Sequence, residues 1–498
     1  MIYVANRVDG DRILFEFYKP KGAIANPSTY SPSRRRKYYT CMPRSTLPKL
    51  PKEMNASPSS QNSQSNASSA RRRPRVFWLL SGDETIASSR IQGYLIHQHL
   101  LERGVDSRLL LAPPFWLKEL PWKSSEEIAL TELCGTDIVV LQKLRGEAAQ
   151  SLARALRKSG SITVYIDCDY RPENKVAFEC DVVVCPSETL ANFYRENGAS
   201  EVMCVCDPAE FWSEPEEISK RYTNNSSQDK LKLCWVGNKT NWLTLEPLQA
   251  LLREPEFADF QLVTVSNHPD ADVVWSLETV RQVLDECDIG VVPTVGGFKQ
   301  AVKSSNRIVQ CMAIGLPVIA GRIPSYEETM RHGETGLFAD TPEEWRDALR
   351  ILRDSNKRRE LSTNAYKEVR QKFSLDSIVT DWLRVFEDLD ARPKNTPPLT
   401  ESPITEEKEK LLTAQLLTRA QLGFAEEARR QQNSQLAWNC LKLARKNAEH
   451  YPTLKKETLG ATMKTARWST LNTLTKSAPI RFPLRIVRAI ARRVKRKS

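Results

Sequence analysis

One short polar turn could do chemistry: Lys303-Ser304-Ser305-Asn306-Arg307, leading into Ile308-Val309-Gln310. Two hydroxyls and two cations stand at the start of a helix expected over about 306–314. Free backbone N–H groups and the positive end of the helix dipole add to them. The combination suits a diphosphate, whose oxygens accept charge-assisted hydrogen bonds. Asn306 and Gln310 are four apart and share a helix face, which lets Gln310 reach sugar hydroxyls. Gly315 is the expected helix stop. An ordinary capped helix with surface charges is the plain alternative. A second turn, Trp235-Val236-Gly237-Asn238-Lys239, ends an apolar run. Gly237 allows close backbone approach to a ligand, with Lys239 to meet a phosphate.

Other groups read more quietly. Asp167-Cys168-Asp169 has a spacing that can hold Mn²⁺ or Mg²⁺. We read it as a strand end facing a cleft or solvent, and expect no metal site. His97 and His99 lie on different faces of one expected helix and are read as structural. The eleven cysteines form no CxxC pair, and most sit in apolar runs as small hydrophobes. Reduced thiols suit a cytoplasmic protein.

The elements that must position these turns repeat one texture twice. Apolar runs at 76–80, 107–112, 137–141, 162–166, 181–185 and 202–206 alternate with helical patterns, among them 87–103, 147–158 and 187–197. After a polar interruption at 211–230, runs at 231–237, 260–265, 273–275, 288–292, 316–320 and 335–338 follow. Helices are expected over 342–354 and 374–389. Continuous apolar runs between helices mark parallel strands buried on both faces, hence two doubly wound α/β domains. Ligands of such sheets bind beyond the strands' carboxyl ends, in the cleft between the two domains.

The expected organisation is a basic extension with a Ser/Asn/Gln linker over 1–73, a first domain over 74–212 and a second over 230–390. A linker over 391–405 and a helical, basic extension over 406–498 complete it. Little independent structure is expected in 1–52, and one or two amphipathic helices in 406–450. Residues 1–75 hold 15 Lys/Arg against 4 Asp/Glu, and 392–498 hold 23 against 8. Residues 76–391 hold 35 against 49, so the body is acidic between basic flanks. A uniformly basic nucleic-acid binder does not look like this, and no specific nucleic-acid partner is expected. Residues 481–498 carry eight cations and no acid, with Leu484, Val487, Ala491 and Val494 on one helical face. Such a segment can lie on an anionic membrane surface; a plain basic tail is the alternative. No run of about 18 apolar residues suggests a membrane span. The start has no basic region followed by an apolar core, so no secretory leader is expected.

Residues 231–389 resemble the nucleotide-sugar domain of GT-B glycosyltransferases of the family 4, group 1 type. The likeness rests on Gln310-Cys-Met-Ala-Ile-Gly-Leu-Pro-Val-Ile-Ala, on Ile323-Pro-Ser-Tyr-Glu327-Glu328 and on His332-Gly-Glu-Thr-Gly-Leu-Phe. Asp288-Ile-Gly-Val-Val-Pro293 is similar to the strand before the donor loop, and Ala87-Ser-Ser-Arg90 to the family's Gly/Ser-x-Arg stretch. The resemblance implies a metal-independent, retaining transfer of sugar from a nucleotide-sugar to a glycan or lipid-linked acceptor, without cofactor. It also implies a role in polysaccharide biosynthesis, at the inner membrane face. It puts Lys303 and Arg307 in catalytic roles. Gly237, Asn238, Lys239, Ser266, Pro293, Ser304, Ser305, Asn306, Gln310 and Glu327 fall on the donor side, and Ser88, Ser89 and Arg90 on the acceptor side. The family's E-x7-E glutamates fall on Val302 and Gln310. The Lys303, Asn306, Arg307 pattern resembles a variant branch in which a lysine replaces acidic chemistry at the diphosphate. A catalytically degenerate GT-B-like binding or scaffold protein is the rival reading.

Overall fold

The structure is a computed structural model that describes residues 2–9, 12–18 and 75–477. It leaves out 118, 121, 123, 136, 170, 172–173, 223–229, 295–297 and 392–404. The chain divides into two units, 1–70 and 71–498. In the first, strands β1 (Ile2–Asp9) and β2 (Arg12–Tyr18) pair antiparallel, with Ile2 opposite Tyr18. This hairpin departs from the expectation of little structure in 1–52. Both strands are rich in β-branched and aromatic residues, which favour extended backbone. The 53–70 linker and the 481–498 segment lie outside the described residues.

The second unit holds two six-stranded parallel sheets. Strands β3 (Val76–Leu80), β4 (Ser107–Leu111), β5 (Ile138–Gln142), β6 (Ile162–Ile166), β7 (Val182–Cys185) and β8 (Val202–Cys204) stack in the order β4-β3-β5-β6-β7-β8. Strands β9 (Leu231–Val236), β10 (Phe260–Ser266), β11 (Val273–Val274), β12 (Ile289–Val292), β13 (Val318–Ala320) and β14 (Leu337–Phe338) stack as β11-β10-β9-β12-β13-β14. Every pairing within them is parallel. Apolar side chains bury both faces of each sheet, as the continuous runs require. The two doubly wound domains expected from the sequence are present. Each strand order reverses once, between β3 and β5 and between β9 and β12, and the crevice at such a reversal is where these sheets receive ligands.

Two further features differ from the sequence reading. The Leu375–Ala391 helix, expected to close the second domain, packs on the first sheet. Its stripe Ile378, Val379, Trp382, Phe386 and Leu389 covers Trp78 and Val140, and the Trp78 and Trp382 rings lie 5.9 Å apart edge to face. The 211–230 interruption contains an ordered helix, Pro215–Arg221, opened by a reciprocal Glu214 and Glu217 cap. Its Ile218 fills the space that Gly315 leaves open. Gly315 has φ +78 and ends the Asn306–Ala313 helix, as its position predicts. The helices Glu406–Arg430, Ser434–Asn447 and Pro452–Ser477 follow, and Leu412, Leu416, Ala420 and Phe424 of the first join the core of the first sheet.

Candidate functional site

A cleft of about 530 Å³ runs between the carboxyl ends of the two sheets. Gly237 and Asn238, directly after β9, line one wall together with Val291 and Val292 of β12. Lys143, directly after β5, lines the other. The cleft therefore lies at both strand-order reversals.

The Asn306–Ala313 helix forms the heart of the second-domain wall. Ile308, Val309 and Met312 are buried in the sheet, which leaves Asn306, Arg307 and Gln310 toward the cleft. Asn306 Nδ2, Arg307 Nη1 and Gln310 Nε2 are buried donors with no protein partner. A buried unpartnered donor costs about 1–3 kcal/mol, so three on one wall call for an acceptor-rich ligand. Lys303 Nζ donates to Asn241 Oδ1 at 3.3 Å, which ties this turn to the segment after β9. Burial lowers the Lys303 pKa and Arg307 lowers it further, while Asp169 across the cleft acts the other way. Ser304 lies beside Asp207 and acts to lower its pKa. Ser305 is buried at the helix start, and its carbonyl accepts from the Val309 amide at 3.1 Å.

The remaining donor-side candidates do not all gather here. Gly237 has a steric reason besides ligand approach: any Cβ there would overlap the Trp235 ring. Asn238 accepts from the Thr240 amide at 3.0 Å and opens the turn 239–245. The Lys239 side chain is exposed and does not line the cleft; its amide donates to Asn267 Oδ1 at 2.8 Å. Ser266 is buried, and its hydroxyl accepts from the His268 amide at 3.1 Å. Pro293 is buried after β12 and does not line the cleft. Glu327 is exposed, 3.9 Å from Arg322, away from the cleft wall. Its neighbour Glu328 accepts from the Glu188 and Thr189 amides at 3.0 and 2.8 Å. That carboxylate caps the Glu188–Glu196 helix of the other domain and clasps the two domains together.

Gln310 is divided in its use. Its Oε1 accepts from the Glu210 and Phe211 amides at 3.1 and 3.3 Å, so only Nε2 faces the cleft. The residue expected to meet sugar hydroxyls as donor and acceptor is a donor alone. Val302, at the other glutamate position, is buried against the core of the first sheet.

On the first-domain wall, Ser88 and Arg90 line the cleft, while Ser89 is buried and bonded to Gln142 Oε1 at 3.2 Å. Arg90 is spent structurally. It pairs with Glu210 through two bonds of 2.5 and 3.1 Å and donates to the Glu84 carbonyl. The helix there widens into a π-turn, Arg90–Tyr94, a feature often found at functional sites.

Four contributors were not singled out from the sequence. Lys143 is 2% exposed, has φ +53, and donates to Asp169 Oδ2 at 2.6 Å. Burial works against its charge, but Cys168, Asp169 and Asp167 more than offset that and raise its pKa. Asp169 is likewise opposed by burial and held below the usual range by Lys143. Trp116 lies under Lys143 Nζ and Arg145, with 5.0 and 5.6 Å to the ring centre. Asp207 is buried, accepts from Gln92 Nε2 at 2.9 Å, and has its pKa pushed up to about 6 by burial. Trp275 lines the donor end under Arg90. The one sequence signal for Lys143 was its place after an apolar run. Asp167 accepts from the Tyr194 hydroxyl at 2.6 Å. Among the described residues no three His, Cys, Asp or Glu side chains gather as a metal site.

Residues 216–355 match the family described as glycosyl transferases group 1. A glycosyltransferase from Rickettsia africae superposes with a TM-score of 0.51 at 12% identity, over 64% of this chain and 100% of that one. HepE from Anabaena, in complex with UDP and glucose, gives 0.48 at 13% identity over 64% and 100%. Sucrose-phosphate synthase from Thermosynechococcus elongatus gives 0.48 at 14% over 64% and 100%. No curated protein matches the chain. Residues 216–355 thus match glycosyl transferases group 1, and the chain that carries them has the two-domain fold of GT-B glycosyltransferases.

Proposed function

We propose that the protein transfers a sugar from a nucleotide-sugar to a glycan or lipid-linked acceptor, with retention and without a metal ion. The observation that carries this is the cleft wall of unpartnered donors Asn306 Nδ2, Arg307 Nη1 and Gln310 Nε2, with Lys303, which does not itself line the cleft, in the turn before it. A pyrophosphate offers only acceptors to such a wall. Trp275 and Leu277 line the cleft beyond Val236 and offer an apolar bed for a base. As the bond from sugar to phosphate breaks, charge builds on the leaving diphosphate. Fixed donors in a partly buried site stabilise that charge without reorganising. Lys303 and Arg307 supply the cations.

No side-chain nucleophile is assigned. Asp169 is paired with Lys143, which holds its pKa down and makes it a poor base, and Glu210 is tied up in its ion pair with Arg90. This supports a route in which a leaving phosphate oxygen takes the acceptor's proton. Ser88 and Trp116 lie on the acceptor side of the cleft. The segment 481–498 is proposed to meet an anionic membrane surface, with the protein on the cytoplasmic side.

The test is slow hydrolysis of nucleotide-sugars without acceptor, followed by mass spectrometry. One donor should be consumed, with the rate unchanged by a chelator. A chelator-sensitive rate removes metal independence. The rival reading, a binding module without catalysis, is favoured by Val302 and Gln310 in place of glutamates. It predicts nucleotide binding with no donor consumed.

A further inference from the structure

We infer that the outer face of the Ser434–Asn447 and Pro452–Ser477 helices docks on a bilayer containing anionic lipids. This extends the membrane reading of residues 481–498 to a folded surface, and it does not depend on the reaction in the cleft.

The face belongs to a unit seated firmly on the first domain. Phe424 packs edge to face on Phe115 at 5.5 Å, and Arg419 and Lys408 pair with Glu126 and Glu132 at 2.7 and 3.0 Å. On the Pro452–Ser477 helix, Leu454, Thr458 and Thr465 are buried on one side. Helical spacing puts Leu459 and Met463 on the opposite side, and they are 51% and 55% exposed. Leu443 on the preceding helix is 42% exposed. Exposed cations flank these apolar groups: Lys455, Lys456, Lys464 and Arg467 on one helix, Lys442, Arg445 and Lys446 on the other. Arg445, Lys446, Lys455 and Leu459 share one groove. None of the seven cations pairs with a carboxylate among the described residues.

Charge complementarity selects the occupant. The two helices and the turn between them hold two acids, Glu449 and Glu457, and Glu457 already lies 3.4 Å from Arg419. The acidic body, 49 Asp/Glu against 35 Lys/Arg over 76–391, is repelled by an anionic bilayer. The basic face is therefore the side that can approach one. Exposed leucine and methionine between long cations can enter the headgroup boundary while the charges stay at its surface. In sequence the chain continues from Ser477 into a segment with eight further cations and no acid. No helix among the described residues is long and apolar enough to cross a membrane, so the contact proposed is a surface one.

The test is co-sedimentation of the full chain with vesicles of phosphatidylcholine alone and with about 30% phosphatidylglycerol. The expected result is binding to the anionic vesicles only, weakened by 0.5 M salt, where the Debye length falls to about 4 Å from about 10 Å at 0.1 M. Lys455→Glu/Lys456→Glu/Lys464→Glu should weaken binding at least about tenfold with residues 481–498 intact. Leu459→Ser/Met463→Ser should weaken it severalfold at high salt, where charge is screened. Unchanged melting temperatures and donor hydrolysis in both variants keep folding and the cleft out of the comparison. Wild-type affinity in the charge-reversed chain overturns the face, leaving any binding to the terminal segment. Equal binding to single-stranded RNA that displaces the vesicles overturns the lipid assignment.

Discussion

Arg90 and Glu210 form a two-bond ion pair, 2.5 and 3.1 Å, that fastens the start of the first-domain helix to the segment joining the domains. The Arg90 and Glu210 side chains are 8% and 11% exposed. The Glu210 amide in turn is held by Gln310 in the donor wall. A residue expected to meet acceptor thus links the two domains. Arg90→Ala strands a buried carboxylate and should cost about 3–5 kcal/mol, read as a lower urea midpoint. A loss under about 1 kcal/mol would mean that the pair is solvated.

Asp207 gives a pH dependence with a defined sign. Its folded value of about 6 exceeds the ordinary 3.8 because burial opposes its charge. A raised carboxyl contributes stability that is fully present below about 3.8 and is lost as pH rises through about 6. Asp207→Asn can keep the Gln92 and Ser304 contacts without a charge. The variant should be more stable than the wild type at pH 8 by up to about 3 kcal/mol, with the gap closing toward pH 4. Urea titrations across that range read it. A gap independent of pH assigns the effect to something other than ionisation.

Gln310→Glu restores the acid that the resembling family carries, yet should weaken the enzyme. The carboxylate can still accept from the Glu210 and Phe211 amides, but it removes the Nε2 donor and sets a negative charge beside the diphosphate. Nucleoside diphosphate affinity should fall about tenfold, equivalent to about 1.4 kcal/mol. A gain in affinity would mean that the cleft presents donors to this position.

Gly237→Ala tests packing under the donor wall. The new methyl must displace the fully buried Trp235 ring, which costs about 1–3 kcal/mol in stability. A melting temperature within about 1 °C of the wild type contradicts this packing.

Much of this was legible in the sequence because apolar runs and helical patterns alternate twice, and strand type follows from that texture. The turn at Lys303–Arg307 was legible because its polar residues are consecutive and open a helix. Lys143, Asp207 and Glu210 were not, because each is a single residue in an ordinary loop. Only the strand-order reversals bring them to one cleft. The Leu375–Ala391 helix shows its apolar stripe in sequence, but not which sheet lies bare to receive it. Glu327 and Glu328 look alike in sequence. One turn of geometry sends the second to the neighbouring domain and leaves the first in solvent.

Calorimetric titration with nucleoside diphosphates, UDP first, most directly tests the donor-only wall. The wild type should bind one of them, and saturation at 100 times the dissociation constant should stabilise the fold by about 2.7 kcal/mol. Lys303→Ala and Arg307→Ala should each weaken that binding at least about tenfold while melting like the wild type. Binding left intact in both variants, or absent for every diphosphate tried, contradicts the account.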